Sequence, residues 1–521
     1  MPKNFNALKN LSGQGLILFL LVLGSGSELL AQKKQKIEFS AQSIQLSKHI
    51  GKSAKRLIGN VVLKHQSVIM YCDSAWLFDD NTLEAYRNIR ILQGDSLSLN
   101  GDFLKYNGNT RKAEISKNIT MTDREMVLTT DNLVYDMGTK TGVYLGGGTI
   151  KTSEHTLTSA QGYYYAGKRE FAFKKNVVLT NPEYTVKCDT LRYNTSTKIA
   201  WFHGPTHIIS EENRIYCENG FYDTHKNQSR FSRNAKLISG SQELSGDSLF
   251  YDRNLDYGKA MGKVQVTDSA ENIIIRGRLA EYKGENRKSM ITGEPYMIQI
   301  FEGDSIFLGA DTLYSYYGIK KEGSETLIDE EARFLKAGPE VILFKYDLQG
   351  KCDSLLYSFA DSTIRLFGKP VLWTGKQQLT AQTMEIKTSK GEIMEMLLEK
   401  TAFIVSEEDS GKYNQIRGKV MTGYFSKNEL RKIRVEGNGQ TLYFIKEEKQ
   451  ISGINKTDCS HMLIQIADNE ISAINFYGKP EGTVVPPDTK DPTGWKLKDF
   501  IWRGGERPAG SHAITQRKKN L

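Results

Sequence analysis

The side chains best suited to chemistry in this chain are carboxylates that recur at one phase: Asp73, Asp102, Asp131, Asp189, Glu218, Asp247, Asp311 and Asp353, with Gln161, Arg278 and Gln382 in the same series. Carboxylates gathered on one face suit acid–base cleavage of a glycosidic bond, which needs two of them converging on one substrate atom with shifted pKa values. They also suit calcium, but the glycine-rich nonapeptide that cages the ion in stacked turns is absent. Each acid stands at a corner beside a hairpin, a place that fits bonding to local backbone amides better than attack on a substrate. The eight histidines are scattered, and His203 and His207 have no acidic partner motif. The five cysteines show no zinc-ligand spacing. With no nucleophile–base arrangement and no phosphate-binding loop, the expectation is a non-enzyme without catalytic residue, cofactor or metal.

What must position such a series is a repeat. Asp73, Asp102 and Asp131 stand 29 residues apart, and about that period holds to Asp311 before a longer gap to Asp353. Four residues after the anchor there is usually a tyrosine: Tyr106, Tyr135, Tyr165, Tyr193, Tyr222, Tyr251, Tyr282 and Tyr357. Three residues before it the side chain is apolar (Met70, Leu99, Leu128, Val186, Ile215, Leu244, Ile275, Leu308, Leu379), with Thr158 and Gly350 as exceptions. Residues two apart share a strand face. Past the anchor the apolar parity shifts to Leu104, Leu133, Leu191, Leu249 and Leu313, so a bulge or corner lies near the anchor.

The residue directly before each anchor is small, from Cys72, Gly101 and Thr130 through Cys188, Cys217, Gly246 and Gly277 to Ala310, Cys352 and Ala381, as a tight corner requires. Cys188 and Cys217 fall in adjacent copies and could bridge if their Cβ atoms meet; buried free thiols are the preferred reading, since the other cysteines lack such a neighbour. Turn chemistry at Asn107–Thr110, Asp136–Thr139 and Asn194–Thr197 closes hairpins. No stretch of the repeats keeps a helical period. These features predict an all-β, elongated repeat β-jelly-roll, taco-like, with about 29 residues per repeat. Function then belongs to a long groove or surface.

The chain has 521 residues, 70 basic and 61 acidic, for a net charge of +9 that is spread out except for Arg517-Lys518-Lys519. No basic block interleaved with aromatics points to nucleic acid. The diffuse positive balance fits a solvated surface better than a dedicated site for an anionic lipid or glycan. Residues 1–31 read as a signal peptide: Lys3 and Lys9, then a short apolar core from Gly15 to Leu23, then Leu30-Ala31-Gln32 as the cleavage point. The apolar run is about half of a bilayer span, so an exported, periplasmic chain is expected. Regular repeats occupy 37–317 and less regular ones 318–480. A Pro- and Trp-containing tail, 481–521, is expected to dock through Trp495 and Trp502 and to be disordered beyond Arg507-Pro508.

Units written small-Asp-x-Leu-x-Tyr-Asp, as in Leu128–Asp136 and Leu244–Asp252, resemble the OstA-like family, which includes the periplasmic LptA protein and the N-terminal domain of the LptD translocon. The resemblance is clearest over 37–317 and looser to about 480. It implies a bent, half-open β-jelly-roll whose apolar interior shields acyl chains of lipopolysaccharide, or another anionic glycolipid, on the way to the outer membrane. It also implies envelope transport components as partners, and an outer-membrane association is compatible with it. The chain has many more repeats than a single-domain shuttle and lacks the strands of a translocon barrel. The lipid-lining residues expected on this resemblance are Leu99, Tyr106, Leu128, Tyr135, Ile215, Tyr222, Leu244, Tyr251 and Ile275. Unpaired edge strands would favour head-to-tail self-association. Two other readings are weighed: an exported scaffold or adhesin without cargo, and a carbohydrate-binding or carbohydrate-active β-solenoid.

Overall fold

The computed structural model describes residues 35–517 apart from 50–51, 95–96, 124–125, 286, 302, 323–324, 390–391, 428, 449, 468–469 and 492–493. The expected signal segment lies outside the described residues. Within them the chain forms 38 strands of one continuous antiparallel sheet, and a single four-residue α-helix at His512–Thr515. The hairpins fall where turn chemistry put them: strand Leu97–Asn107 returns as Lys112–Asp123, Met126–Asp136 as Thr141–Tyr144, and Tyr184–Asn194 as Ile199–Ser210. The longer gap before Asp353 is taken up by one extended hairpin, Thr312–Glu322 with Glu325–Ala337.

Nearly every long strand carries an irregularity at mid-length, and it recurs at the anchors. The register slips between Asn100 and Phe103 around Asp102, and between Ser116 and Ile119 on the strand opposite. The opposing strand turns this corner on a pair of left-handed residues: Arg87-Asn88, Lys117-Asn118, Lys175-Asn176 and Arg233-Asn234 all have positive φ. Asparagine tolerates that conformation better than most residues, because its short amide can bond locally. A bulge both bends a strand and restores inward facing after the bend. That is why Leu99 and Gly101 before the corner and Leu104 and Tyr106 after it are all buried on the same side. The sheet thus folds along its line of corners into two walls. One, the leucine wall, ends in tight turns; the other, the tyrosine wall, ends in the four-residue hairpin turns.

The leucine wall carries one unbroken cross-strand row. It runs Leu63, Met70, Ile91, Leu99, Met121, Leu128, Ile150, Leu157, Leu179, Val186, each the register partner of the next. It continues through Ile208, Ile215, Leu237, Leu244, Val266, Ile275 and Met297 to Leu308. Ala160, rather than Gln161, is the anchor of the fourth copy. Leu157 stands in the row, and Tyr164 rather than Tyr165 faces Gly142 and Phe171 on the other wall. Moving the anchor by one residue makes both neighbouring intervals 29 and removes Thr158 as an exception.

Beyond the last repeat, the described residues of 486–517 return as a strap across the outer face of the leucine wall. The row one step off the inner one, Gln349, Trp373, Gln378, Val405, Gln415, Leu442, points outward there. Three buried glutamines of that row grip the strap. The Gln415 amide donates to the Trp495 carbonyl at 2.8 Å and accepts from the Leu497 N–H at 2.8 Å. Gln378 does the same with Ile501 and Arg503 at 2.7 and 2.6 Å, and Gln349 accepts from Arg507 Nε at 2.7 Å. Phe403, Val405, Leu442, Phe444 and Ile454 close around Leu497, with Trp495 and Trp502 packed alongside. The segment past Arg507-Pro508, expected to be disordered, is held as far as Arg517: Ile514 is buried against Gly309, and Arg517 pairs with Asp311 at 3.0 Å and with Glu340. The tail's composition hid this because scattered apolar side chains, Leu497 and Ile514 above all, and three glutamine clamps anchor it, not a continuous apolar stripe.

Candidate functional site: a trough that opens midway

The space between the two walls changes along the stack. Near its start the walls touch: the His65 Nδ1 and Tyr106 hydroxyl are 2.7 Å apart, Gln93 Nε2 donates to the Met137 carbonyl at 3.0 Å, and the Tyr164 hydroxyl donates to Asp123 at 2.6 Å. Leu104, Ile115, Leu133, Tyr106, Tyr135 and Tyr144 fill the interior in one buried cluster with Leu99 and Leu128. Burial pushes the Tyr106 hydroxyl up to about 12 and raises that of Tyr135 as well, as expected where no water stabilises a phenolate.

From Ile208 to Ile275 the trough opens. Ile208, Ile215, Leu237, Leu244, Val266 and Ile275 are all only half-buried. The contiguous core shrinks to Cys217, Phe231, Ala235, Leu249, Ala260 and Val264 near the corner. Sequence accounts for the change. Where the first repeats put Leu104, Ile115 and Leu133, the facing row here runs Gly220, Phe231, Leu249, Ala260 and Ala280. The tyrosine row alternates Tyr222, Ser229, Tyr251, Gly258, Tyr282 and Ser289. Ile208, Ile215, Leu237 and Leu244 pack against this smaller core and remain half-buried. Among the described residues no hydrogen bond or ion pair joins the two walls across this part of the mouth. Farther on, from Leu308, the interior is packed again.

The nine residues expected to line a lipid channel therefore fall into two environments. Leu99, Tyr106, Leu128 and Tyr135 lie in the packed first third, at 3% exposure or less. Ile215, Tyr222, Leu244 and Ile275 are half-buried in the open stretch, and Tyr251 is 40% exposed. The tyrosine hydroxyls there point to the hairpin turns: Tyr251 donates to Asp256 at 2.8 Å and Tyr222 to Asn227 at 3.4 Å. Burial, then the bond to Asp256, pushes Tyr251 up to about 12.

The anchor acids do not bond local amides as expected. Three of them accept instead from the corner asparagine of the next strand: Asn88 to Asp73 at 2.9 Å, Asn118 to Asp102 at 2.6 Å, Asn234 to Glu218 at 2.9 Å. Where the anchor is Arg278, the opposing corner residue is Glu294, and the two pair at 2.7 Å with their charges exchanged. Successive anchors are two strands apart, about 9–10 Å, too far to act together on one atom. The amide-capping role belongs five residues later, to Asn107, Asp136, Asn194, Asp223 and Asp252, each accepting two backbone N–H bonds within its own turn.

All five cysteines are free and buried. Cys188 and Cys217 are separated by the strand bearing Thr206, which pairs with both; two strand spacings exceed the reach of a disulfide. Sequence reasoning missed the corner asparagines and the strap glutamines. The asparagines had a signal, a Lys/Arg-Asn pair at the same period; the glutamines had none.

Residues 34–189 and 185–247 match the family model for OstA-like proteins. No curated protein matches the chain. Among solved structures 18 chains match. One is LptH of Pseudomonas aeruginosa, described as the LptA-homologous periplasmic component of a lipopolysaccharide transport device; it is 14% identical over 20% of this chain and 81% of its own, with a TM-score of 0.20. Among the described residues no helix is long and apolar enough to cross a membrane.

Proposed function

We propose, from the match of residues 34–247 to the OstA-like family model, that this chain is a non-enzymatic envelope carrier that shields the acyl chains of lipopolysaccharide, or a related glycolipid, between its two walls. It works in the periplasm, handing cargo to or from other transport components for outer-membrane assembly. The observation that carries the reading is the continuous apolar row of the leucine wall, which passes from packed to half-buried between Ile208 and Ile275, where Gly220, Ala260 and Ala280 stand in the facing row. A 14-carbon chain exposed to water costs on the order of 10 kcal/mol, at ~0.8 kcal/mol per methylene. An under-filled trough recovers much of that without a deep pocket, so cargo can enter and leave from the side. The tyrosine rings would lie against the chains, with hydroxyls toward sugars or water.

The packed first third favours the second reading, a scaffold without cargo, for that part of the stack. Site-specific photo-crosslinkers separate the two. Placed at Ile215, Leu244, Ile275, Tyr222 and Tyr251 they should capture lipopolysaccharide; at Leu99, Leu128, Tyr106, Tyr135 and the turn residue Asn109 they should not. Equal labelling everywhere, or none anywhere, would leave the scaffold as the better account. Leu244→Asp should weaken capture, since a carboxylate beside an acyl chain must be desolvated or protonated.

A further inference from the structure

The two lips of the open stretch carry opposite charge. The tight turns that end the leucine wall bring Glu183, Glu211, Glu212 and Glu271 to one lip, and no lysine or arginine lies in the described residues of those turns (181–183, 211–212, 240–241, 269–272). The hairpin turns that end the tyrosine wall bring Lys168, Arg169, Lys198, Lys226 and Arg253 to the other. None of these five cations has a carboxylate partner among the described residues. The acids closest in sequence are otherwise engaged: Asp223 and Asp252 are buried caps of their own turns, and Asp256 holds the Tyr251 hydroxyl.

The basic lip is also rigid. Each hairpin turn donates a backbone bond to the last residue of the turn before it: Thr195 to Arg169 at 2.9 Å, Thr224 to Lys198 at 3.0 Å, Arg253 to Asn227 at 3.0 Å. This spine fixes the turns two strands apart, about 9–10 Å, so the cations form an evenly spaced row beside the tyrosine hydroxyls.

We propose that this row is the site that holds the anionic, phosphate-bearing headgroup of an amphiphile whose apolar part lies in the open trough. The proposal rests on the trough reading and adds the direction of the cargo to it. Apolar side chains lie toward the corner, hydroxyls and cations rise along one lip, and the carboxylates of the opposite lip repel the same headgroup. A neutral glycolipid would find the trough but no reason to choose a lip.

The test compares lipid A carrying both phosphates with the same lipid after their removal, binding to the full chain at low and high salt. The phosphorylated form should bind more tightly, and its advantage should shrink with salt. Lys198→Gln, Lys226→Gln and Arg253→Gln should each cost about fivefold for the phosphorylated form alone, at the ~1 kcal/mol expected per surface cation near an anionic group. Glu211→Gln with Glu212→Gln should leave binding unchanged or tighten it. All these positions are in exposed turns, and the single Lys226→Gln variant tests the idea with the least disturbance. Equal binding of both lipids, or a preference that survives the three substitutions together, overturns the lip assignment while leaving the trough intact. If neither lipid binds the unmodified chain, the trough reading fails with it.

Discussion

At the scale of single residues, the small side chain before each anchor is a steric requirement with a graded cost. A Cβ built on Gly101 would lie 2.6 Å from Ile115 Cγ2, and one on Gly277 2.5 Å from Ile291 Cγ2, whereas on Gly246 the nearest atom is the Met261 carbonyl oxygen at 3.2 Å. Gly101→Leu and Gly277→Leu should therefore each destabilise by ~1–3 kcal/mol through overpacking, with Gly246→Leu milder, and thermal melting will rank them. The cysteines at the same corner make a second prediction. Burial pushes Cys72, Cys188 and Cys352 up to about 12 and Cys217 up to about 11, so at pH 8 an alkylating reagent should leave them unmodified until the chain is unfolded. Because the folded state holds these protons more tightly, their contribution is fully present below the ordinary thiol pKa of 9.0 and is lost as pH rises from there toward 12. Melting temperature should fall over that range, and rapid alkylation of the native chain at pH 8 would contradict the assignment. The size pattern of this position was legible in the sequence because packing tolerates so few alternatives. The role of the aspartates was not, since an acid at a corner can reach either its own amides or a neighbour's side chain, and only the fold decides.

At the scale of the hairpin, two rows of polar residues that look alike in sequence do different work. Asp136 closes its turn by accepting from Gly138 and Thr139 at 2.9 Å each, while exposed Asp102 accepts one bond from Asn118. Asp136→Ala should cost about 1–2 kcal/mol, and Asp102→Ala no more than about 1 kcal/mol, at ~1 kcal/mol net per hydrogen bond; equal losses in chemical denaturation would refute the distinction. The Gln228 amide, and then the turn's own N–H groups, hold the Asp252 carboxyl below its usual value. That contribution is present above the unfolded carboxylate pKa and disappears as pH falls through the lower folded value, so acid should loosen the Asp252 turn, and Asp252→Asn should blunt that acid response. Hairpins and their turn residues could be read directly, because Asn, Asp and Gly declare a reversal locally. The one-residue slip to Ala160 could not, since a lone glutamine beside an alanine imitates the anchor better than the alanine that occupies it.

At the scale of the molecule, a single ladder of apolar residues serves three successive environments, and its period alone cannot distinguish them. What sets the open stretch apart is the facing wall, where Gly220, Ala260 and Ala280 replace larger side chains. Filling it should be informative: Ala280→Leu, at a half-buried position, should hinder lipid entry, raise stability or leave it unchanged, and weaken crosslinking at Leu244. Loss of crosslinking with marked destabilisation would instead point to a misfolded wall. The strap makes a separate prediction. Gln378→Ala with Gln415→Ala removes four hydrogen bonds to its backbone and should expose residues 486–517 to limited proteolysis while the repeats stay resistant.

The strap also imposes an order of assembly. Neighbouring hairpins pair with what has just been made, so the stack can zip from its N-terminal end as the chain is made. The strap cannot take part in that process. Its bonds join residues 80, 123, 158 and 206 positions apart, and until the last of them form, Phe403, Val405, Leu442 and Phe444 offer an apolar sheet face to any other chain nearby. A molecule truncated before Pro486 would be left in that state permanently, adhesive and open to proteases. Residues 486–517 thus act as a seal, separating copies whose strap has docked from those whose strap has not before either meets a partner.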